Sequence, residues 1–184
     1  MTEKEFLQAF DQHKDAVYAF AFRMTGSAEV AEDVAQDCFM QLLRHPGRFD
    51  PARGSLRAFV LGVTRNLVFR HWRDEARMDR LDEDQEWPAP NPGDGSVTMM
   101  VAGAVQSLAP LQREAVVLFE YEGFTLQEIA KLVGADVGTV KSRLHRARER
   151  LRRALAPVRE TKGQKSEVSS REREVTWNST NTSR

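Results

Sequence analysis

The sequence predicts an all-α protein made of two small helical domains joined by a flexible acidic linker. Apolar residues recur at three- and four-residue spacing along most of the chain, which is the period of an amphipathic helix. No run of β-branched residues alternates with polar ones over more than a few positions, so no strand is expected. The helical pattern stops between residues 79 and 97, where an acidic run is followed by three prolines and two glycines. This composition indicates a linker.

The length and the position of this linker define the domain organisation. A chain of 184 residues can hold two small helical cores. We expect a first domain over residues 1–78, a linker over 79–97 and a second domain over 98–156. The first part of the linker is acidic. Residues 157–184 are rich in Lys, Glu, Ser, Thr and Arg with almost nothing apolar to bury, so a disordered tail is expected there.

Three helices are predicted in the first domain from residues that start and stop helices. Capping residues open each helix, and glycine or proline follows the first two, with a loop over 45–54 before the third. The first helix is expected between its cap Thr2 and Gly26, and the second between its cap Ser27 and Pro46. The third is expected from its cap Ser55 to about Arg77. The residues expected to face inward are Phe6, Phe10, Val17, Phe20, Met24, Val30, Ala31, Val34, Cys38, Leu42, Leu43, Phe59, Val63 and Leu67.

The second domain is predicted to end in two helices of different character. Helicity resumes near Val97 and is expected to continue past Leu108, and Pro110 can begin the next helix. Thr125 opens a capping box for a short helix that glycine at position 134 can end. After a brief turn, a long basic helix is expected to run to about residue 155.

A short helix, a tight turn with glycine and a second, basic helix form the helix-turn-helix arrangement, whose second helix lies in the DNA major groove. One apolar stripe can hold the basic helix on its domain: Val140, Leu144, Ala147, Leu151 and Leu155. A second face carries side chains that can read base edges: Lys141, Ser142, His145 and Arg146. Thr139, at the helix start, and Arg143 are expected to contact phosphates.

The charge distribution agrees with binding to a polyanion. Residues 51–80 contain seven basic and three acidic side chains, and residues 141–160 contain eight basic and two acidic ones. Between them, residues 81–96 contain five acidic side chains and no basic one. Two basic blocks separated by an acidic segment indicate two contacts with nucleic acid. The alternative is that these charge runs are merely solvated helix faces.

Several classes of protein are not favoured by the sequence. Cys38 is the only cysteine, so neither a disulfide within the chain nor a cysteine-based metal cluster is expected, and a buried thiol is favoured over a redox sensor. The four histidines are far apart, and no phosphate-binding glycine loop or nucleophile motif occurs. We therefore expect no enzyme, cofactor, metal or small-molecule substrate.

No apolar stretch approaches the roughly 20 residues that span a bilayer, and no signal peptide is evident, so a cytoplasmic protein without membrane insertion is expected.

Three segments of the second domain and two of the first resemble a known family. The segments 107–115, 124–130 and 137–148 resemble the region of extracytoplasmic-function (ECF) sigma factors, of the sigma-70 class, that binds the −35 promoter element. The segment 31–39 resembles the helix of that family that docks on the polymerase clamp. The segment 59–73 resembles the helix that melts and reads the −10 element.

The resemblance implies partners and sites for this chain. Core RNA polymerase and promoter DNA are the implied partners, together with an anti-sigma factor. The residues implied in polymerase binding lie on the acidic face of the second helix: Glu32, Asp33, Gln36 and Asp37. The residues implied in −10 recognition and melting are Arg48, Phe49, Arg57, Arg65, Asn66, Arg70 and Arg73. These arginines would line a basic groove for unstacked DNA, with a base pocket near the loop.

Two positions depart from the family pattern. Arg70 stands where an aspartate is common, and Asp74 stands where a basic residue is common. These departures bear on the −10 sequence that would be preferred. The alternative function is a stand-alone helix-turn-helix regulator, whose first half is expected to contain a ligand or receiver domain with strands.

Overall fold

The computed structural model describes residues 2–74 and 96–156. All regular elements in these two ranges are helical and no strand occurs in them, which confirms the all-α expectation. The predicted end of the third helix at Arg77, most of the linker and the whole tail lie outside the described residues.

Within the described residues, three helices form the first domain and four form the second. The first three are α1 (Glu3–Thr25), α2 (Ala28–Arg44) and α3 (Leu56–Asp74). The others are α4 (Val97–Gln106), α5 (Pro110–Val116), α6 (Leu126–Val133) and α7 (Val137–Ala154). A π-helical turn over Val117–Tyr121 continues α5, and this turn has no counterpart in the sequence-based expectations.

The capping residues read from the sequence start and stop their helices as predicted. Thr2 and Thr125 both form complete capping boxes with the glutamate three residues on. The Ser27 side chain accepts a hydrogen bond from the Val30 amide. Gly26 and Gly134 end their helices in the left-handed conformation, with φ of 74° and 70°. A residue without a Cβ adopts this conformation at little cost, which explains why both helices stop at glycine.

Two boundaries and two burial expectations differ from the structure. Helix α4 ends at Gln106 instead of continuing past Leu108, because the residue before Pro110 is excluded from helical geometry and is extended. The expected loop after α2 contains two short 3₁₀ turns, Pro46–Arg48 and Pro51–Arg53. Two residues predicted to face inward are exposed at the open end of the α1–α2 hairpin: Phe10 (37%) and Leu43 (51%).

The first domain is a three-helix unit in which α1, α2 and α3 pack against one another. Its centre contains Val17, Phe20 and Met24 of α1, which are fully buried. Cys38 of α2 is also buried, and its thiol lies 3.5 Å from the Val60 carbonyl of α3. Burial raises the pKa of this thiol, so Cys38 is a neutral core residue, as expected.

The second domain packs α5 and α6 on α7, and it also contacts the first domain. Helix α4 and the start of α5 lie against the end of α1, and α6 lies against α3. Apolar residues of both domains form one continuous buried cluster. The described parts of the chain therefore form a closed arrangement in which the two domains share an interface.

Candidate nucleic-acid interface

The helix-turn-helix unit consists of α6, a turn beginning at Gly134, and α7. Ile129 and Ala130 of α6 are buried against the domain. Asp136 caps α7, and one of its carboxylate oxygens accepts the Thr139 amide at 2.8 Å. Both helices are thus fixed at their N-termini, and the turn between them is as short as the predicted motif requires.

Helix α7 separates its apolar and polar residues as the sequence predicts. Val140, Leu144 and Ala147 are buried, and they anchor the helix on α5 and α6. The four side chains proposed to read bases are all exposed: Lys141, Ser142, His145 and Arg146. An exposed face with cations, a hydroxyl and an imidazole can meet base edges in a groove without unfolding the domain.

Two further residues of α7 lie in surroundings that the sequence does not indicate. Arg143 is half-buried, and its charge acts on the buried carboxyl of Glu114 in α5. The hydroxyl of Thr139 donates to Asp136 at 2.6 Å, and this bond together with the amide bond lowers the pKa of the aspartate. The N-terminus of α7 is therefore already capped by a carboxylate, at the place where Thr139 was expected to meet a phosphate.

Two arginines in the C-terminal half of α7 form ion pairs with nearby glutamates. Arg148 pairs with Glu120 at 2.8 Å and lies over the Phe119 ring. Arg152 pairs with Glu149 one turn earlier. These pairs are on the surface, where such contacts contribute little to stability. Their arginines can exchange a carboxylate for a DNA phosphate at small cost.

The residues implied in −10 recognition fall into separate groups in the structure. Arg57 and Arg65 of α3 point towards the second domain, where each contacts a glutamate. Asn66 and Arg73 are exposed on the same helix. Arg48 is exposed on the first 3₁₀ turn, and the neighbouring Phe49 is half-buried, with its ring centroid 5.6 Å from that of Phe59.

Arg70 lies on another side of α3, next to α2. Its guanidinium is 3.0 Å from the Asp37 carboxylate, and both side chains are more than half exposed. A small cleft between the two helices is lined by this pair together with Asp33, His71 and Asp74, among others. The structure therefore brings Arg70 to the residues implied in polymerase binding and not to Arg57 and Arg65.

The acidic face of α2 is a continuous exposed surface. Its four members are on the side of the helix away from the core: Glu32, Asp33, Gln36 and Asp37. Carboxylates there would repel DNA, so the chemistry of this surface fits a protein partner with basic groups.

Sequence reasoning missed the charged residues that join the two domains. Glu114 of α5 and Glu122, just after the π-helical turn, have side chains only 1% and 5% exposed. Glu122 contacts both Arg57 and Arg23, and Arg113 is fully buried beside the end of α1. The available signal was the presence of charges inside a strongly apolar segment over 110–124, because such charges are buried only with partners.

Arg113 connects the two domains through the Met24 carbonyl of the first and two carbonyls of its own domain. Its guanidinium donates to the carbonyl oxygens of Met24, Gln106 and Leu108. Burial lowers the pKa of Arg113 to about 10, so the group still carries its charge at neutral pH. A cation at the C-terminal end of α1 also interacts favourably with the helix dipole.

The described ranges contain neither a metal-ligand cluster nor a helix that could span a membrane. No group of three or more potential metal ligands comes together in residues 2–74 and 96–156. Among those same residues, no helix has the length and apolar character needed to cross a membrane.

The fold and the basic helix together define a two-domain helical protein with a helix-turn-helix. Residues 9–78 match the family described as "Sigma-70 region 2", and residues 98–151 match "Sigma-70, region 4". The chain belongs to the sigma-70 family of RNA polymerase sigma factors, within its extracytoplasmic-function group.

Curated relatives and solved structures agree with this assignment. The chain is 37% identical over 154 residues to the ECF RNA polymerase sigma factor SigE of Mycolicibacterium smegmatis, covering 79% of this chain but 59% of that protein. It is 32% identical to the RNA polymerase sigma factor CarQ of Myxococcus xanthus, covering 83% of this chain and 90% of that one.

Two solved structures share the arrangement of helices. The sigma factor RpoE, in complex with the anti-sigma factor NepR from Bartonella quintana, has a TM-score of 0.69 at 29% identity, covering 83% of this chain and 98% of that one. CnrH, in complex with the cytosolic domain of CnrY, has a TM-score of 0.64 at 25% identity, covering 85% of this chain and 90% of that one.

Proposed function

We propose that this chain binds core RNA polymerase and directs promoter-specific initiation of transcription. The observation that carries the proposal is the division of α7 into a buried apolar stripe and an exposed basic face, in a chain that matches both sigma-70 regions. A transcription initiation factor of this kind acts by binding, so no catalytic residue is assigned.

Each domain has its own part in the proposal. Region 2, over residues 1–78, docks on polymerase and opens the −10 element, and region 4, over 98–156, binds the −35 element. The acidic linker over 79–97 connects them and is repelled from DNA. A cytoplasmic location follows from these partners.

Contacts with DNA are proposed for side chains of α7, of α3 and of the loop before α3. In the major groove at −35 these are Thr139, Lys141, Ser142, Arg143, His145 and Arg146. At −10 they are Arg48, Phe49, Arg57, Arg65, Asn66, Arg70 and Arg73. The position of Arg70 beside Asp37 suits a contact near the junction of DNA and polymerase.

The acidic face of α2 is the proposed polymerase contact. Its exposure and its three carboxylates support this role. An anti-sigma factor is a further proposed partner, since the similar RpoE structure holds one.

The proposed function is tested with purified core polymerase. The chain should elute together with core and should start transcripts at discrete sites on genomic fragments that core alone does not use. Reversing a charge on α2, with Asp33→Arg, should weaken elution with core, whereas Asp15→Arg on exposed α1 should not. DNA binding without any association with polymerase would instead support the stand-alone regulator.

A further inference from the structure

A carboxylate covers the exposed side of the first turn of α7. Asp136 is the N-cap of this helix, and its side chain is exposed. One carboxylate oxygen accepts the Thr139 amide at 2.8 Å, and the other accepts the Thr139 hydroxyl at 2.6 Å. A Cβ built on Gly138 would lie 2.9 Å from the first of these oxygens. The carboxylate is therefore folded back over Gly138.

The position of Gly138 on α7 places this carboxylate on the face proposed to read bases. Residues that are three, four and seven positions apart in an α-helix share one face. The residues at these spacings after Gly138 are Lys141, Ser142 and His145. All three are exposed, and the buried stripe of α7 lies on the other side of the helix. The Asp136 carboxylate therefore forms the N-terminal end of the base-reading face.

The charges along this face change from one end to the other. The hydrogen bonds from Thr139 lower the pKa of Asp136, so the carboxylate is ionised at neutral pH. The Thr139 hydroxyl gives its proton to Asp136 and can offer only lone pairs to a further group. Lys141 and Arg146, further along the helix, carry donors. The face therefore presents acceptors at its N-terminal end and donors beyond it.

An acceptor at this end of a recognition helix distinguishes the bases by their amino groups. The N-terminal residues of such a helix contact base edges in the major groove. Cytosine presents an amino donor there, whereas guanine and thymine present acceptors that a carboxylate repels. Adenine has an amino group too, but its N7 acceptor lies beside it. Cytosine is thus the base whose own edge suits a carboxylate.

We propose that Asp136 determines specificity within the −35 contact: its carboxylate accepts a hydrogen bond from the amino group of a cytosine and rejects guanine and thymine at that position. The inference rests on the proposed function, because it requires α7 to lie in the major groove of the promoter. A residue that only caps the helix supports binding to every DNA sequence equally. A base contact changes the choice at one position, so the two roles can be told apart.

The test uses holoenzyme assembled from core RNA polymerase and the full chain. Promoter DNA that is randomised over the −35 element is bound to it, and sequencing of the bound fragments gives the base preference at each position. Asp136→Asn and Asp136→Ser both keep a capping side chain and remove the carboxylate. Glu5→Gln is the matched control, because it removes the charge of a carboxylate that accepts the Thr2 amide at the start of α1. Circular dichroism of each chain reports whether its helices are retained.

Each chain has its own expected base preference. The wild type should prefer cytosine over guanine by about tenfold at one −35 position. Asp136→Asn should move the preference at that position to adenine, because an amide can pair with both N6 and N7 of adenine. Asp136→Ser should accept all four bases there nearly equally, because a hydroxyl can both donate and accept. Glu5→Gln should keep the wild-type pattern.

The outcomes separate this inference from the proposed function. Unchanged preferences in both Asp136 variants would overturn the inference and leave the proposed function intact. A wild type that starts specific transcripts but prefers cytosine at no −35 position would do the same, and this measurement needs no variant. If Asp136→Asn loses its helices, the serine variant decides. Failure of the wild-type holoenzyme to enrich any −35 sequence would count against the proposed function itself, and the inference would fall with it.

Discussion

Arg146 and Arg152 lie on the same helix in different surroundings, and this difference determines what each can contribute to DNA binding. Arg146 belongs to the exposed face that includes Lys141 and Ser142. Arg152 lies a turn and a half further on and pairs with Glu149. A contact with a base edge depends on sequence, whereas a contact with a phosphate does not.

We predict that Arg146→Ala weakens promoter binding by the holoenzyme and relaxes the choice of base at one −35 position. The expected loss is about 1–3 kcal/mol if the guanidinium makes a bidentate base contact. Arg152→Ala should weaken binding evenly across sequences and reduce the salt dependence by about one unit. Binding to a panel of −35 variants at several salt concentrations measures both effects. An Arg146→Ala loss that is equal for all sequences would contradict the assignment.

The cap of α7 should make the stability of this helix depend on pH. Hydrogen bonds from Thr139 lower the pKa of Asp136 below its ordinary value of 3.8. A carboxyl whose pKa is lower in the folded state stabilises the fold above its unfolded pKa, and this contribution is lost as the pH falls through the folded value. Wild type should therefore have a higher urea midpoint than Asp136→Ala at pH 6, and the gap should narrow at pH 3.

Asp136→Asn is the matched control for that measurement. Asparagine is an equally good capping residue but does not titrate. Its midpoint should stay above that of the alanine variant at both pH values. A gap between wild type and Asp136→Ala that is the same at pH 3 and pH 6 would show that the ionised cap is not the cause.

At the residue scale, the sequence predicted the local contacts well and the distant ones not at all. Thr2, Ser27 and Thr125 each cap a helix by bonding to a residue three positions on. Because the two partners are so close in the chain, the pattern is visible in the sequence. Arg65 and Glu114 are 49 positions apart. Their pairing depends on how two domains pack, which no local pattern encodes.

At the scale of elements, the two helices of the helix-turn-helix are separated by a turn that needs glycine at its start. Gly134 has φ of 70°, and a Cβ built there would meet no atom within 4 Å. The position therefore selects glycine because of its backbone conformation and not because of space. Gly62, inside α3, is also open around its Cβ position but has no positive φ.

These two glycines should respond in opposite directions to alanine. Gly134→Ala should destabilise the protein by about 1–2 kcal/mol, because a residue with a Cβ is strained in the left-handed region. Gly62→Ala should stabilise it by about 0.4–1 kcal/mol, because the unfolded chain loses freedom and the helix accepts alanine. Denaturant unfolding of both variants measures the difference. Equal changes in the free energy of unfolding for the two variants would mean that the left-handed conformation at Gly134 does not make alanine unfavourable there.

Helix periodicity predicted the long elements, and it failed where packing overrides the local pattern. The stripe of α7 is buried at Val140, Leu144 and Ala147 as expected. Phe10 and Leu43 fit the same kind of pattern on α1 and α2 and are nevertheless exposed, whereas their chain neighbours Ala9 and Leu42 are buried. The π-helical turn after α5 has no signature in the spacing of apolar residues.

For the whole molecule, Arg113 is a fully buried residue of the second domain that contacts the backbone of the first. Arg113→Lys should lower the free energy of unfolding by about 1–3 kcal/mol, because one ammonium group cannot reach all the buried carbonyls that the planar guanidinium satisfies. Arg152→Lys, on the exposed end of α7, should change it by less than about 0.5 kcal/mol. Urea unfolding compares the two, and an Arg113→Lys effect as small as that of the control would rule out this role.

The single cysteine of the chain has a practical consequence for labelling the two domains. Cys38 is enclosed between α2 and α3, and its neutral thiol is a poor nucleophile. A maleimide dye should therefore not react with Cys38 in the native protein, whereas it should react with cysteines introduced on exposed helix surfaces. One such site in each domain would allow energy transfer to be recorded on single molecules, with no need to replace the natural cysteine.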